Sequence, residues 1–225
     1  MIDILYEDNH LLGICKPVNI PVQQDDSKDD DVLSLCKQYL KETYQKPGNV
    51  YLGLVHRLDR PVGGVLLLAK TSKAASRLSD TIRQKKMKKT YLAILDGIPP
   101  KQSDTLEDYL VKDSKTNMVH VTTADKGKFS RLNYTLLQTK GNHSLVKIDL
   151  ETGRSHQIRV QFSSRHLPLL NDQRYHPHPS KGQIALWASE LTFPHPTTKQ
   201  EITLRAPYPK EAPWTEFEVN EYDND

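Results

Sequence analysis

Val55-His56-Arg57-Leu58-Asp59-Arg60-Pro61-Val62-Gly63-Gly64-Val65-Leu66-Leu67-Leu68-Ala69-Lys70-Thr71 sets one carboxylate between two arginines and then runs without a break into an apolar strand. A run as apolar as Val65 to Leu68 is stable only when covered on both faces, so the loop feeding it delivers Asp59 to the edge of a core and holds it there. Arg57 and Arg60 on either side favour the ionised carboxylate at neutral pH. Gly63 and Gly64 permit close approach of another backbone or of a ligand. Taken alone, such a loop reads first as a structural ion-pair network, because those networks also perturb carboxylates.

The surrounding pattern is rich in strands. Ile2 to Glu7, Leu11 to Cys15, Tyr91 to Leu95, Leu106 to Lys112, Met118 to Thr122, Phe129 to Leu137 and Leu145 to Leu150 all read as strands. Helical spacing is confined to a few windows. One runs from about Val32 to Tyr44, with Val32, Cys36, Tyr39 and Leu40 on one face; the acids of Asp25 to Asp31 supply its N-cap and first-turn charge rather than a metal site. Another is capped by Ser72 and lines up Ala75, Leu78 and Ile82. Strands in runs, broken by few helices, predict an α+β fold built on a mixed, largely antiparallel sheet rather than a doubly wound βαβ sheet.

The formal net charge of +3 conceals an asymmetry, since residues 211–225 hold six acids and no Lys or Arg, leaving +9 on residues 1–210. A single catalytic-size domain is expected over 1–210, followed by a solvated, mobile acidic tail over 211–225. The basic body suits a polyanion. Cys15 and Cys36 lie in apolar patterns without Cys-x-x-Cys spacing and read as reduced core residues. With no basic leader before Ile2 and no run of about 18 apolar residues, a cytoplasmic protein that neither is exported nor spans a membrane is expected.

A second loaded segment runs from Leu150 to Val160, where a strand stops at Gly153 and a helix is expected from near Ser155. Arg154, His156 and Arg159 on its first turns would make an anion site at the helix N-terminus, with His156 and Arg159 on one face. Leu167 to Tyr175 reads as a turn and Ile184 to Phe193 as a strand. Arg83, Lys85, Lys86, Lys88 and Lys89 suit the C-terminal end of a helix dipole; a solvated face is the first reading and a grip on phosphates the second. His176-Pro177-His178-Pro179 reads as a stiff loop, because third and fourth metal ligands have no obvious source.

In their order along the chain these segments resemble the RluA-type family of RNA pseudouridine synthases. His56-Arg57-Leu58-Asp59-Arg60 is similar to the family's catalytic His-Arg-Leu-Asp motif, Lys89-Thr90-Tyr91 to its Lys-x-Tyr, and Gly153 to Val160 to its Gly-Arg-x-His-Gln-Ile-Arg-Val. Lys16-Pro17 and Asn171-Asp172 to Tyr175 stand where its Lys-Pro-x-Gly and Gly-Asp-x-x-Tyr elements belong. Five ordered motifs over about 180 residues are specific where one would not be. Asn19 and Asn171 replace the usual glycines, and both turns should survive because Asn tolerates positive φ. Val62-Gly63 replaces the usual Thr-Ser and removes two hydroxyls near the catalytic loop. The first strand begins at Ile2, so a member without the separate N-terminal RNA-binding (S4) domain is expected.

The resemblance implies the pseudouridine synthase catalytic fold and an isomerase acting on specific uridines of rRNA or tRNA, with no cofactor and no metal. It implies Asp59 as the essential carboxylate, acting as nucleophile on sugar or base or as a base on the ribose. Arg159 would pair with Asp59, and Tyr91 would stack on the uracil and assist removal of the C5 proton. Arg57 would fill the gap left by the flipped nucleotide, and Arg60, Lys89, Arg154 and His156 would contact RNA. Read residue by residue, His56 and His156 fit structural hydrogen bonds better than direct catalysis, while an ordinary strand residue is the plain alternative for Tyr91 and a surface cation that for Arg154. The expected partner is structured RNA and the expected state a monomer. A non-catalytic RNA-binding or ribosome assembly factor retaining the fold is the alternative. A glycoside or nucleoside hydrolase would need a second acid about 5 to 9 Å from Asp59, and no neighbouring motif offers one.

Overall fold

A computed structural model describes residues 2–25 and 29–218. The fold is α+β, with eleven strands and three α-helices among the described residues. By its internal packing the chain, expected as one domain over 1–210, divides into two compact units: residues up to Lys89 together with Ala188–Pro207, and Thr90–Trp187 together with Tyr208 onward.

In the first unit β1 (Asp3–Glu7) pairs antiparallel with β2 (Leu11–Lys16), and β2 with β4 (Gly63–Ala69). The short β3 (Gly53–Leu54) also pairs with β4, and β10 (Leu186–Pro194) lies next to β4 and pairs with β11 (Glu201–Arg205). Every residue of β4 is buried, as its unbroken apolar run requires. Gly64 has a φ of +111°, and a Cβ there would stand 2.1 Å from the carbonyl oxygen of Ala188, so only glycine allows this approach.

Helix α1 (Val32–Thr43) buries Val32, Cys36 and Leu40, and its N-cap Asp31 accepts the Ser34 N–H at 3.0 Å. Of the acidic run, residues 26–28 lie outside the described residues. Helix α2 (Ser72–Arg83) is capped by Thr71 rather than by Ser72: the Thr71 hydroxyl accepts the Ala74 N–H at 3.1 Å. Leu11, Val65, Leu67, Leu78 and Phe193 form the centre of this unit's core.

In the second unit the order is β5 (Lys88–Asp96), β9 (His143–Leu150), β8 (Lys128–Lys140), β6 (Ser103–Lys112), β7 (Val119–Thr122), antiparallel throughout. Helix α3 spans only Gln157–Ser163. It begins two residues later than the sequence suggests, because His156 adopts a left-handed φ of +51°. The acidic tail over 211–225 is corrected in its first part: Trp214 and Phe217 are buried with Leu92, Ile94 and Leu145, so these two aromatic anchors draw the segment onto the core. Residues 219–225 of that tail lie outside the described residues. Among the described residues no helix is long and apolar enough to cross a membrane.

Candidate active site

The first unit carries Asp59 half-buried in the turn that precedes β4. The Val62 N–H closes the turn on the Asp59 carbonyl at 2.9 Å, a bond that uses neither of the hydroxyls missing at Val62-Gly63. Lys16, at the end of β2, is fully buried and gives its ammonium protons to three carbonyl oxygens: Pro17 at 2.8 Å, Arg60 at 3.1 Å and Val62 at 2.8 Å. Three donors and three acceptors match, which is how a cation is tolerated there. Burial still pulls the ammonium down to about 8, against the opposing pull of the Asp59 charge.

His56 is held by the strand it precedes: its Nε2 accepts the Leu67 N–H at 3.0 Å. That assigns the ring proton to Nδ1. Desolvation, with the nearby Lys89 ammonium second, pushes its pKa down to about 3, so the ring is neutral at working pH and serves as an acceptor for the middle of β4. Arg57 is exposed. Arg60 turns to the acidic segment: its guanidinium donates to the Asn19 carbonyl at 3.1 Å, meets Asp25 at 3.4 Å and pairs with Asp29. Two acids read from sequence as helix electrostatics therefore neutralise a cation read as a partner of Asp59 and of RNA. Lys89 is half-buried and desolvation lowers its pKa. Asn19 has a φ of +63°, as the glycine-like position demands.

The second unit gathers a different set. Arg159, on α3 and 4% exposed, makes a bidentate pair with Asp172, Nε to Oδ2 at 2.8 Å and Nη2 to Oδ1 at 2.7 Å. Burial raises the Asp172 carboxyl, but the Arg159 bonds and charge and the N–H groups of Arg174 and Tyr175 outweigh it and hold the acid below its usual range. The Arg159 guanidinium carbon lies 5.1 Å from the centre of the Tyr175 ring. The Tyr175 hydroxyl accepts the Val119 N–H at 2.9 Å and shares a hydrogen with His156 Nδ1 at 2.7 Å. His156 is thus a partner in a structural hydrogen bond. It does not stand on the helix with Arg159.

Of Arg154, His156 and Arg159, expected together on the first turns of the helix, only Arg159 stands on α3. Gln157 Oε1 accepts the Arg154 N–H at 3.0 Å and the Thr152 hydroxyl at 2.8 Å, so a side chain of the same helix takes up the bend. Arg154 itself is exposed, its Nε donating to the Phe129 carbonyl at 3.0 Å. Tyr91 is buried in β5 opposite Ile148. Asn171 has a φ of +61° and does what glycine could not: its amide donates to the Gln183 carbonyl at 3.2 Å and accepts the Ser180 hydroxyl at 2.7 Å. Both ring nitrogens of His176 are engaged, Nε2 with Asp96 at 2.9 Å and Nδ1 with the His178 N–H at 3.0 Å.

Two residues of weight carry little signal in the sequence. Asp172 was visible as part of a motif but not as the partner of Arg159, and Lys16 as part of Lys-Pro but not as the clamp on the Asp59 turn. The only signal for either was a charged residue inside an apolar or turn pattern.

Comparison with known proteins finds that the pattern describing RNA pseudouridylate synthases matches residues 10–164. The ribosomal large subunit pseudouridine synthase C of Buchnera aphidicola is 33% identical over 214 residues, covering 91% of this chain and 66% of that protein. The tRNA pseudouridine synthase C of Pectobacterium carotovorum is 31% identical over 238 residues, covering 95% of this chain and 60% of that protein. The chain therefore spans about two thirds of the length of these relatives. Among solved structures, human RNA pseudouridylate synthase domain containing 4 superposes with a TM-score of 0.79 at 21% identity, over 92% of this chain and 89% of that one, a likeness of fold.

Proposed function

Because the chain belongs to the RNA pseudouridylate synthase family, we propose that it isomerises particular uridines of structured ribosomal or transfer RNA to pseudouridine, with Asp59 as the reacting carboxylate. Uridine and pseudouridine are isomers: the bond from the ribose carbon to N1 breaks, a bond from that carbon to C5 forms, C5 gives up a proton and N1 gains one. No electron leaves or enters, so the chemistry asks for a carboxylate, a binding surface and control of protons.

The observation that carries the reading is the built turn at Asp59. A buried ammonium spends all its protons on the carbonyls around that acid, and a buried strand follows immediately. Fixing a reacting group within a fraction of an ångström is where much of a catalytic advantage resides. In this reading Asp59 attacks sugar or base, or removes a ribose proton, and Arg159 keeps it ionised. Tyr91 stacks on the uracil and helps remove the C5 proton, and Arg57 fills the space vacated by the nucleotide, offsetting the few kcal/mol lost in unstacking. Of the residues assigned to the surrounding RNA contacts, Arg154 is exposed to take one, whereas Arg60 would exchange Asp25 and Asp29 for phosphates, His156 keeps its bond to Tyr175, and Lys89 is half-buried.

Tritium release from C5-labelled uridine in transcribed ribosomal and transfer RNA tests this. Wild type should release label and Asp59→Ala should not; equal release by the two rejects the role of Asp59. RNA binding without release by wild type would favour a non-catalytic factor.

A further inference from the structure

The cations that follow helix α2 are arranged in a way that stability alone does not explain. Arg83, the last helical residue, is paired with Asp80 at 2.8 Å. Beyond it Lys85, Lys86 and Lys88 are all exposed, and among the described residues none of the three has a carboxylate in salt-bridge reach. Along β5 the alternation sends Lys88 outward and leaves Lys89 half-buried beside His56, so the outward charge sits on residues 85, 86 and 88.

Compensation of the helix dipole does not need these side chains, because the last carbonyls are already satisfied by backbone. The Gln84 N–H donates to Asp80 at 2.9 Å, the Lys85 N–H to Ile82 at 3.0 Å and the Lys86 N–H to Thr81 at 3.0 Å. This closing turn places Lys85 at a φ of +56°, where glycine is the favoured residue. A lysine there carries backbone strain, and three ammonium groups within four residues repel one another. Three exposed ammonium groups that, among the described residues, have no carboxylate in reach point to a bound polyanion that relieves their repulsion.

We propose that Lys85, Lys86 and Lys88 form a docking strip for the phosphodiester backbone of the RNA substrate; the proposal rests on the reading of this chain as a pseudouridine synthase. Three phosphate contacts contribute about 2 to 3 to the slope of log affinity against log salt, with single-stranded contacts at the lower end. Between 50 and 200 mM salt the wild-type protein should therefore lose about 20- to 40-fold more affinity than a protein lacking the strip.

The test compares wild type, Lys85→Gln/Lys86→Gln/Lys88→Gln, and a control of equal charge loss on α1 and the turn after it, Lys37→Gln/Lys41→Gln/Lys46→Gln, binding transcribed large-subunit ribosomal RNA over that salt range. The strip variant should show the reduced slope and the control the wild-type slope. A wild-type slope in the strip variant, or an equal reduction in the control, overturns the proposal. Lys85→Gly adds a second readout: it should raise Tm by releasing the strained backbone while weakening RNA binding, and unchanged binding counts against the strip. Tritium release by wild type on the same RNA is scored separately, so absence of turnover overturns the enzymatic reading while the salt slope decides the strip.

Discussion

The ammonium of Lys16 and the carbonyl oxygen of Val62 meet at 2.8 Å across 46 residues of sequence, and this bond ties the end of β2 to the turn that presents Asp59. With Pro17 and Arg60 supplying the other acceptors, the side chain acts as a three-point clamp. Lys16→Met strands three carbonyls at about 1 kcal/mol each but also removes an ammonium that burial already disfavours. We expect stability at pH 7 to change by less than about 2 kcal/mol while kcat falls at least about tenfold through loss of geometry. Denaturant unfolding and pseudouridine formation check the two numbers, and an unchanged kcat would show that the turn keeps its shape without the clamp.

His56 links stability to acid. Its folded pKa of about 3 lies below the ordinary histidine value near 6.5, so the unfolded chain binds the extra proton between those limits. Stability from the neutral ring is complete above about 6.5 and is lost as pH falls toward 3, with a slope of up to about 1.4 kcal/mol per unit. His56→Gln keeps an acceptor for the Leu67 N–H and does not titrate. Unfolding midpoints between pH 4 and 7 should fall less steeply for this variant than for wild type; parallel curves would remove His56 as the cause.

The Arg159–Asp172 pair is buried, so removing Arg159 takes away the charge that compensates Asp172 and leaves it to the N–H groups of Arg174 and Tyr175. Arg159→Met should cost about 3 to 5 kcal/mol. Arg159→Lys should recover little of it, because an ammonium cannot make the bidentate pair. Arg159→Met/Asp172→Asn should cost less than the sum of the single changes, measured by a double-mutant cycle in urea. Additive costs would show that the two side chains do not act as a unit.

Asn19 stands at a φ of +63°. Asn19→Gly should shift stability by no more than about 0.5 kcal/mol, and Asn19→Val should cost about 2 kcal/mol because a β-branched side chain is crowded there. Thermal melts of the two variants check this, and equal melts would mean that the turn readjusts.

Sequence alone determined what is local. The apolar run over Val65–Leu68 predicted a strand buried on both faces, helical spacing placed α1 and α2 to within a residue or two, and the known tolerance of Asn predicted the positive φ of Asn19 and Asn171. The ordered motifs predicted the family, because each is a short stretch whose spacing survives in the chain itself. Tertiary structure decided which charge meets which. Among 28 acids nothing in the pattern assigned Asp172 to Arg159, or Asp25 and Asp29 to Arg60, and nothing showed that Lys16 would serve three carbonyls. It also decided that His156 stands outside α3 in a left-handed conformation and that Trp214 and Phe217 draw the start of an acidic tail onto the core. Periodicity and turn chemistry act over a few residues and are written in the order of the chain. Pairing of buried charges depends on distances that exist only after remote segments have packed.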